Sequence, residues 1–411
     1  MDAEIIAVGS ELLTPERQDT NSLFLTERLN HCGILVRFKS IVGDSKEDLA
    51  AVLCVALGRS PLIVLTGGLG PTEDDLTREV VAEVLGRPLR DVAELRQRLE
   101  ARFARIGRAM AENNLRQVQV PEGGEWLENR NGTAPGIWIE HQGHILLLLP
   151  GPPRELEPMF EATCVPRLER VAGGARIKTR VYKVVGLPES EVDQIIAPFY
   201  TSYQNPVTTI LASLGSIEVH LRARAATEQE AEARLTELGD KIELALGDHV
   251  YSTKGECLEE VVGMYLVMRQ KTLAVAESCT GGLLAERLTR MPGSSSYFLG
   301  GAVCYSNEMK TRWAGVPAEL IGTRGAVSKP VAQALAEGIR ARTGASLGVG
   351  ITGIAGPSGG SDDKPVGLVY IALADERGTQ VREFHFPGAR DRVRHWAAQM
   401  ALEMVRRRIK D

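Results

Sequence analysis

The chain has 411 residues, of which 44% are hydrophobic and 25% charged, with 48 basic and 53 acidic side chains giving a net charge of -5. That composition excludes a disordered chain, a collagen-like chain and a small disulfide scaffold, and the length predicts about three domains. The acidic balance also argues against a general polynucleotide or anionic-membrane binder, so nucleic acid and membrane are not expected partners.

In chain order, Ala3–Val8 reads as a strand, Asn21–Cys32 as a helix, Leu35–Ile41 as a strand, Lys46–Gly58 as a helix and Leu62–Thr66 as a buried strand. This β-α-β-α-β order predicts a parallel sheet covered by helices. Helical patterns follow at Asp75–Leu85 and Val92–Asn113, then a buried strand at Ile145–Leu149 and a helix at Leu156–Val171 broken around Pro166. Ala172-Gly173-Gly174-Ala175 marks a boundary. Beyond it come a strand (Arg180–Val185), a helix (Glu189–Ile196), strands at Val207–Leu211 and Ile217–Arg224, a helix (Glu228–Leu246) and a strand (His249–Tyr251). A second α/β pattern starts with a helix at Leu258–Arg269 and a strand at Thr272–Ala276. Strands follow at Ala302–Tyr305, Leu347–Ile351, Val366–Ala372 and Glu383–Phe386, and helices at Pro330–Arg342 and Arg390–Ile409. No apolar run approaches the ~18–20 residues that span a bilayer. The acidic start MDAEIIAVGSELL lacks the basic region of an export signal, and the six cysteines are scattered without a CxxC pair, so a reducing cytoplasm is expected.

Three glycine-rich turns follow strands. The first, TGGLGPTEDD, places Gly67, Gly68, Gly70 and Thr72 where backbone N–H groups can approach a phosphate, with Asp74 and Asp75 next to them as hard oxygen ligands for a magnesium-type cation. Helix capping is the alternative for those acids. Ser10, Glu11 and Asn21 belong to the same sheet edge, as do the loops carrying Asn131, Gly132, Gly151 and Pro152. No GxxxxGK[ST] loop and no GxGxxG fingerprint occurs.

The second turn is Glu277-Ser278-Cys279-Thr280-Gly281-Gly282, which suits a small anion at a helix N-terminus and offers two hydroxyls and a thiol. Ser295, Tyr305 and Lys310 follow downstream, with no histidine nearby. A serine nucleophile here needs another base, and a lysine whose pKa is lowered by burial can serve. Cys279 is the rival nucleophile; capping by Ser278 and Thr280 and a solvated Lys310 are the alternatives. The third turn, Thr352-Gly353-Ile354-Ala355-Gly356, pairs with Arg390 and Arg394 as a phosphate site or, failing that, those arginines form a solvated helix face.

Taken together, the segments AVGSELL, DTN, TGGLGPTEDDLTRE, ENN, NGTAPG, LPGPPRELEPMF, AESCTGG, GSSSYF, YSNEMK, GAVS, GITGIAGPSGG and KPVG give the chain a pattern that resembles the competence/damage-inducible CinA family over essentially its whole length. The resemblance implies two α/β three-layer domains joined by a small α+β, KH-like domain. The domains would be a molybdopterin-cofactor-binding-like ADP-ribose pyrophosphatase (1–172), the KH-like piece (176–251) and a nicotinamide mononucleotide (NMN) deamidase (254–411). It implies a divalent metal ion (Mg, Mn or Co) on Asp74 and Asp75 and no cofactor for the deamidase. Catalysis falls to Ser278 or Ser295 with Tyr305 and Lys310, while Thr280, Gly281, Gly282, Thr352, Gly353, Ala355, Gly356 and Arg390 hold substrate. The resemblance also implies a homodimer. The KH-like segment has no GxxG clamp, which argues against RNA binding by that route. A non-catalytic nucleotide-binding or scaffold protein linked to competence or DNA damage is the alternative reading.

Overall fold

The computed structural model describes residues 1–105, 107–213 and 215–410. The chain divides into two compact units, Met1–Lys178 with Ala223–Arg234, and Thr179–Arg222 with Leu235–Asp411.

The N-terminal segment runs β1 (Asp2–Val8), α1 (Asn21–His31), β2 (Leu35–Val42), α2 (Lys46–Leu57), β3 (Leu62–Thr66), α3 (Thr77–Val84), β4 (Leu89–Asp91), α4 (Ala93–Arg105), β5 (Gln119–Pro121), β6 (Glu125–Leu127), β7 (Gly136–His141), β8 (His144–Leu149), α5 (Pro153–Met159) and α6 (Val165–Val171). The sheet order is β2-β1-β3-β8-β7-β6. β2, β1, β3 and β8 are parallel, whereas β7 and β6 join antiparallel. The expected parallel sheet therefore holds for four strands. The antiparallel edge arises because the two-residue link between β7 and β8, with Gln142 and Gly143 both at positive φ, can only fold a hairpin. β3 is buried along its whole length, as a central parallel strand must be. Leu49, Leu53, Val80, Val81, Leu95 and Leu99 of α2, α3 and α4 pack on one face, and Leu25, Leu29, Leu156 and Leu168 of α1, α5 and α6 on the other.

Two predicted helices differ from expectation. Val92–Asn113 is helical only over Ala93–Arg105; Ile106 lies outside the described residues, and a 3-10 segment covers Glu112–Val118. Leu156–Val171 does not break at Pro166: a π turn at Phe160–Cys164 joins α5 to α6 instead. A wide turn just before the proline accommodates its missing N–H without ending the helix.

The small middle sheet comprises β9 (Arg176–Val184), β10 (Val207–Ser213), β11 (Ser216–Ala225) and β12 (Val250–Ser252) in the order β10-β11-β9-β12, with α7 (Glu189–Tyr200) and α8 (Glu228–Leu246). β11 buries every second residue from Ile217 to Ala225, the period of a sheet with one covered face.

The C-terminal segment runs α9 (Leu258–Met268), β13 (Leu273–Glu277), α10 (Leu283–Thr289), β14 (Phe298–Val303), α11 (Asn307–Ala314), α12 (Ala318–Arg324), α13 (Lys329–Thr343), β15 (Leu347–Gly353), β16 (Leu368–Asp375), β17 (Gly378–His385) and α14 (Arg390–Lys410). Its sheet order is β14-β13-β15-β16-β17, parallel over the first three strands and antiparallel beyond. α9, α10 and α14 cover one face, and α11, α12 and α13 the other. The predicted strand Ala302–Tyr305 lies earlier, so Tyr305 sits on the turn before α11 rather than in the sheet. Among the described residues no helix is long and apolar enough to cross a membrane.

Candidate functional site

In the N-terminal unit, the loops after β1, β3 and β8 meet over a cavity of about 350 Å3. The glycine-rich turn is shaped from below. Gly67 has φ of +101°, and a Cβ there would lie 2.1 Å from the Val8 carbonyl oxygen, so no other residue fits. Thr77 Oγ1 donates to the Gly67 carbonyl at 2.8 Å. The buried Arg78 guanidinium donates to the Leu69 and Gly70 carbonyls at 2.7 and 3.1 Å. Burial lowers the Arg78 pKa to about 10, which leaves it charged at neutral pH. Arg116 donates to the Thr72 carbonyl at 2.7 Å. The carbonyls of the turn are thus drawn toward the protein, and the Gly68 and Leu69 amides donate to no group among the described residues.

Asp75 organises the turn itself. Its carboxylate accepts from the Gly70 amide at 2.8 Å, the Thr72 amide at 2.9 Å and the Thr72 hydroxyl. Asp74 is exposed beside it. Ser10 is tied to Asp44 by two hydrogen bonds of 2.8 and 3.0 Å. Asn21 donates to Thr66 Oγ1 at 3.0 Å and to the Gly151 carbonyl at 2.7 Å, joining the β3 and β8 loops. The Pro152 carbonyl starts α5 by accepting from the Glu155 and Leu156 amides. Asn131 donates to the Arg154 carbonyl at 2.7 Å. Gly132 leaves room for the Glu155 carboxylate, which a Cβ there would displace.

Five carboxylates line this cavity, those of Glu11, Asp44, Asp74, Asp75 and Glu155, and no cationic side chain does. A diphosphate would be repelled there without a counter-cation. Among the described residues no group of three or more His, Cys, Asp or Glu side chains forms a metal cage. The donor set fits only an ion held by one or two carboxylates and completed by water and substrate oxygens, which is the habit of magnesium.

The C-terminal candidates collect at the ends of β13 and β15. The helix end after β13 is not open to an anion as expected: Glu277, 1% exposed, accepts from the Gly282, Leu284 and Ala285 amides at 3.1, 3.1 and 2.8 Å. That carboxylate satisfies the first-turn donors of α10 internally. Gly281 and Gly282, at φ of +61° and +94°, make the turn. Ser278 is buried and its amide donates to the Ile351 carbonyl at 2.9 Å. Thr280 is buried with no partner for its hydroxyl among the described residues, and its carbonyl accepts from Arg394 at 2.9 and 3.2 Å.

Lys310 is only 2% exposed. Its Nζ donates to the Tyr305 carbonyl at 3.1 Å. Burial lowers its pKa, and the Cys279 and Cys304 thiols lie within electrostatic reach. Burial pushes Cys279 up to about 12, so it is a neutral thiol and a poor nucleophile at neutral pH. The Tyr305 side chain is 56% exposed, and its hydroxyl accepts from Arg390 at 2.6 Å. Arg390 also donates to the Gly356 carbonyl at 2.8 Å, beside buried Ala355. Thr352 commits its hydroxyl to the Ala326 carbonyl at 2.8 Å, next to half-buried Gly353.

Hydrogen bonds therefore link Lys310, Tyr305, Arg390 and Gly356, and none joins Lys310 to Ser278 among the described residues. Ser295 is exposed on the one-turn segment Ser294–Ser296 and makes no hydrogen bond to Ser278, Tyr305 or Lys310. Sequence reasoning missed Arg78, Arg116, Gln117, Asn129 and Glu155. Only Arg78 left a signal, as a charge among the apolar inner positions of α3.

Comparison with known proteins adds the following. The family described as "CinA C-terminal domain" matches residues 255–409, "Probable molybdopterin binding domain" matches 4–170, and "Damage-inducible protein CinA KH domain" matches 179–252. A CinA-like protein of Koribacter versatilis is 54% identical over 413 residues, covering 100% of both chains. One of Acidobacterium capsulatum is also 54% identical over 413 residues with 100% of each covered. One of Solibacter usitatus is 52% identical over 409 residues, covering 100% of this chain and 98% of its own.

Proposed function

The chain belongs to the CinA family, and on that footing we propose that it hydrolyses NMN to nicotinate mononucleotide and ammonia in its C-terminal domain, and ADP-ribose to AMP and ribose 5-phosphate in its N-terminal domain. The observation that carries the first activity is Lys310, a buried amine with one carbonyl partner and a lowered pKa. Such an amine is a general base where histidine is missing.

In the deamidase, Ser278 Oγ adds to the carboxamide carbon while its proton passes to the Lys310 amine. The resulting ammonium gives that proton to the departing nitrogen as the C–N bond breaks, releasing ammonia and leaving an acyl-serine. Water then cleaves the ester by the same proton route. The Cys279 and Thr280 N–H groups, the amides of the 278–282 turn that donate to no backbone carbonyl or Glu277 oxygen among the described residues, stabilise the oxyanion. Tyr305 fixes the Lys310 amine through its carbonyl, and Arg390 and the Gly356 loop hold the ribose phosphate. Ser295 remains the alternative nucleophile.

In the pyrophosphatase, Asp74 and Asp75 would hold a divalent cation, which when bound would polarise the diphosphate. The Gly68 and Leu69 amides, which donate to no group among the described residues, bind a phosphate oxygen, and Arg78 keeps the turn in place. The test uses NMN and ADP-ribose with product analysis. Lys310→Ala is expected to abolish ammonia release, and EDTA to abolish AMP formation. Near-wild-type ammonia from Lys310→Ala, or AMP formation indifferent to EDTA, would remove the corresponding mechanism.

A further inference from the structure

We infer that the N-terminal crevice takes its nucleoside diphosphate sugar in one direction, with the nucleobase arm under α4 and the second sugar beside α1. This rests on the diphosphate reading of the central cavity. That cavity is flanked by two others. On one side, Gln117 and Thr133 line both the central cavity and one of about 470 Å3, and are joined by a 3.2 Å hydrogen bond. On the other, Val8, Glu11, Gly151 and Pro152 are shared with a cavity of about 350 Å3. A central diphosphate with two arms fits this three-part layout.

The flanks differ in chemistry. The α4 cavity is walled by Leu95, Leu99, Pro135 and Trp126, together with arginines. Arg98 lies over the Trp126 ring at 4.7 Å and pairs with Glu94 and Glu128, so its charge is neutralised. Among the described residues Arg102 donates only to the Arg130 carbonyl, at 3.4 Å, and Arg105 makes no ion pair. Apolar walls, an indole and two uncompensated guanidiniums suit a purine nucleotide and its phosphate charge.

The α1 cavity has no aromatic wall among the described residues; Asn21, Thr20, Thr66, Asp19 and Gln18 line it, with the exposed Arg17 as its one arginine. Asn21 Nδ2 is fixed by Thr66 and Gly151, and Asn21 Oδ1 is buried without a partner. A buried acceptor left unmade is costly, and a sugar hydroxyl donating to it would relieve that cost.

The test is calorimetric titration of the full-length protein with AMP and, separately, ribose 5-phosphate. The exposed-side double variant Arg102→Ala/Arg105→Ala should weaken AMP at least ~10-fold and leave ribose 5-phosphate unchanged, consistent with about 1.4 kcal/mol per tenfold. Asn21→Ala should do the reverse, with thermal unfolding as a check on its fold; should it unfold, the arginine variant alone decides. AMP affinity indifferent to the arginines, or ribose 5-phosphate as the ligand they hold, would overturn the orientation. Failure of wild-type protein to make AMP from ADP-ribose would instead overturn the activity, which this binding pattern does not measure.

Discussion

Lys310→Met isolates what the buried amine costs and what it does. In place, the ammonium has one hydrogen bond, 3.1 Å to the Tyr305 carbonyl, and no carboxylate within ion-pair distance among the described residues. Hydrogen bonds to a charged group contribute roughly 1.5–3 kcal/mol, whereas removing an ammonium from water costs several kcal/mol. Methionine fills nearly the same volume beside the neutral thiols of Cys279 and Cys304. The variant should therefore be more stable by about 1–3 kcal/mol at neutral pH, or about 2–12 °C in the unfolding of a domain of this size. The gain must depend on pH. Burial lowers the folded pKa of Lys310. Below that value the wild type carries the full cost; above it, the folded amine is neutral while the unfolded chain still binds a proton up to about pH 10.4. Wild-type stability thus rises across that window and the methionine advantage shrinks. Thermal unfolding from about pH 6 to about pH 10, alongside ammonia release from NMN, measures both effects. A methionine variant that is less stable by the same amount at every pH, or that still releases ammonia, would refute the reasoning.

Gly67→Ala should destabilise the N-terminal unit by about 3 kcal/mol or more, because positive φ and a 2.1 Å approach to the Val8 carbonyl leave no room; urea unfolding reads it. Arg78→Met should cost about 2–4 kcal/mol by leaving the Leu69 and Gly70 carbonyls unpaired, and should weaken ADP-ribose binding by calorimetry. The neighbouring acids differ in how much of the turn they hold. Asp75→Asn should lower stability by about 1–2 kcal/mol, since its carboxylate accepts three hydrogen bonds. Asp74→Asn should leave the melting temperature unchanged while raising the metal concentration needed for AMP formation.

The strand-end loops were legible because a buried β-branched run followed by glycines admits few other structures: Leu62–Thr66 and its turn lie where the pattern put them. Regular helices such as Glu228–Leu246 were equally plain. What escaped depended on partners distant in sequence. The β6 edge strand has only three residues, too few for a period to show. Tyr305 was placed in a strand because Ala302–Tyr305 is apolar, but Ser306 caps α11 by accepting from the Met309 amide, which pulls Tyr305 out of the sheet. Glu277 looked like part of an open anion site; its role as a cap is visible only once it folds back on its own helix. Asn129 and Glu155 are 26 residues apart, and their 2.8 Å hydrogen bond could not be read from either neighbourhood.

Arg78 grips carbonyls rather than a carboxylate. A buried charge–dipole contact of this kind feels neither mobile ions nor the titration of a partner acid. The glycine turn should hold its shape in molar salt, a condition in which surface ion pairs such as Arg98–Glu128 dissolve. Salt would then separate two properties usually lost together: ligand attraction by the α4 arginines should fade with ionic strength, while the amides that receive the phosphate stay in register.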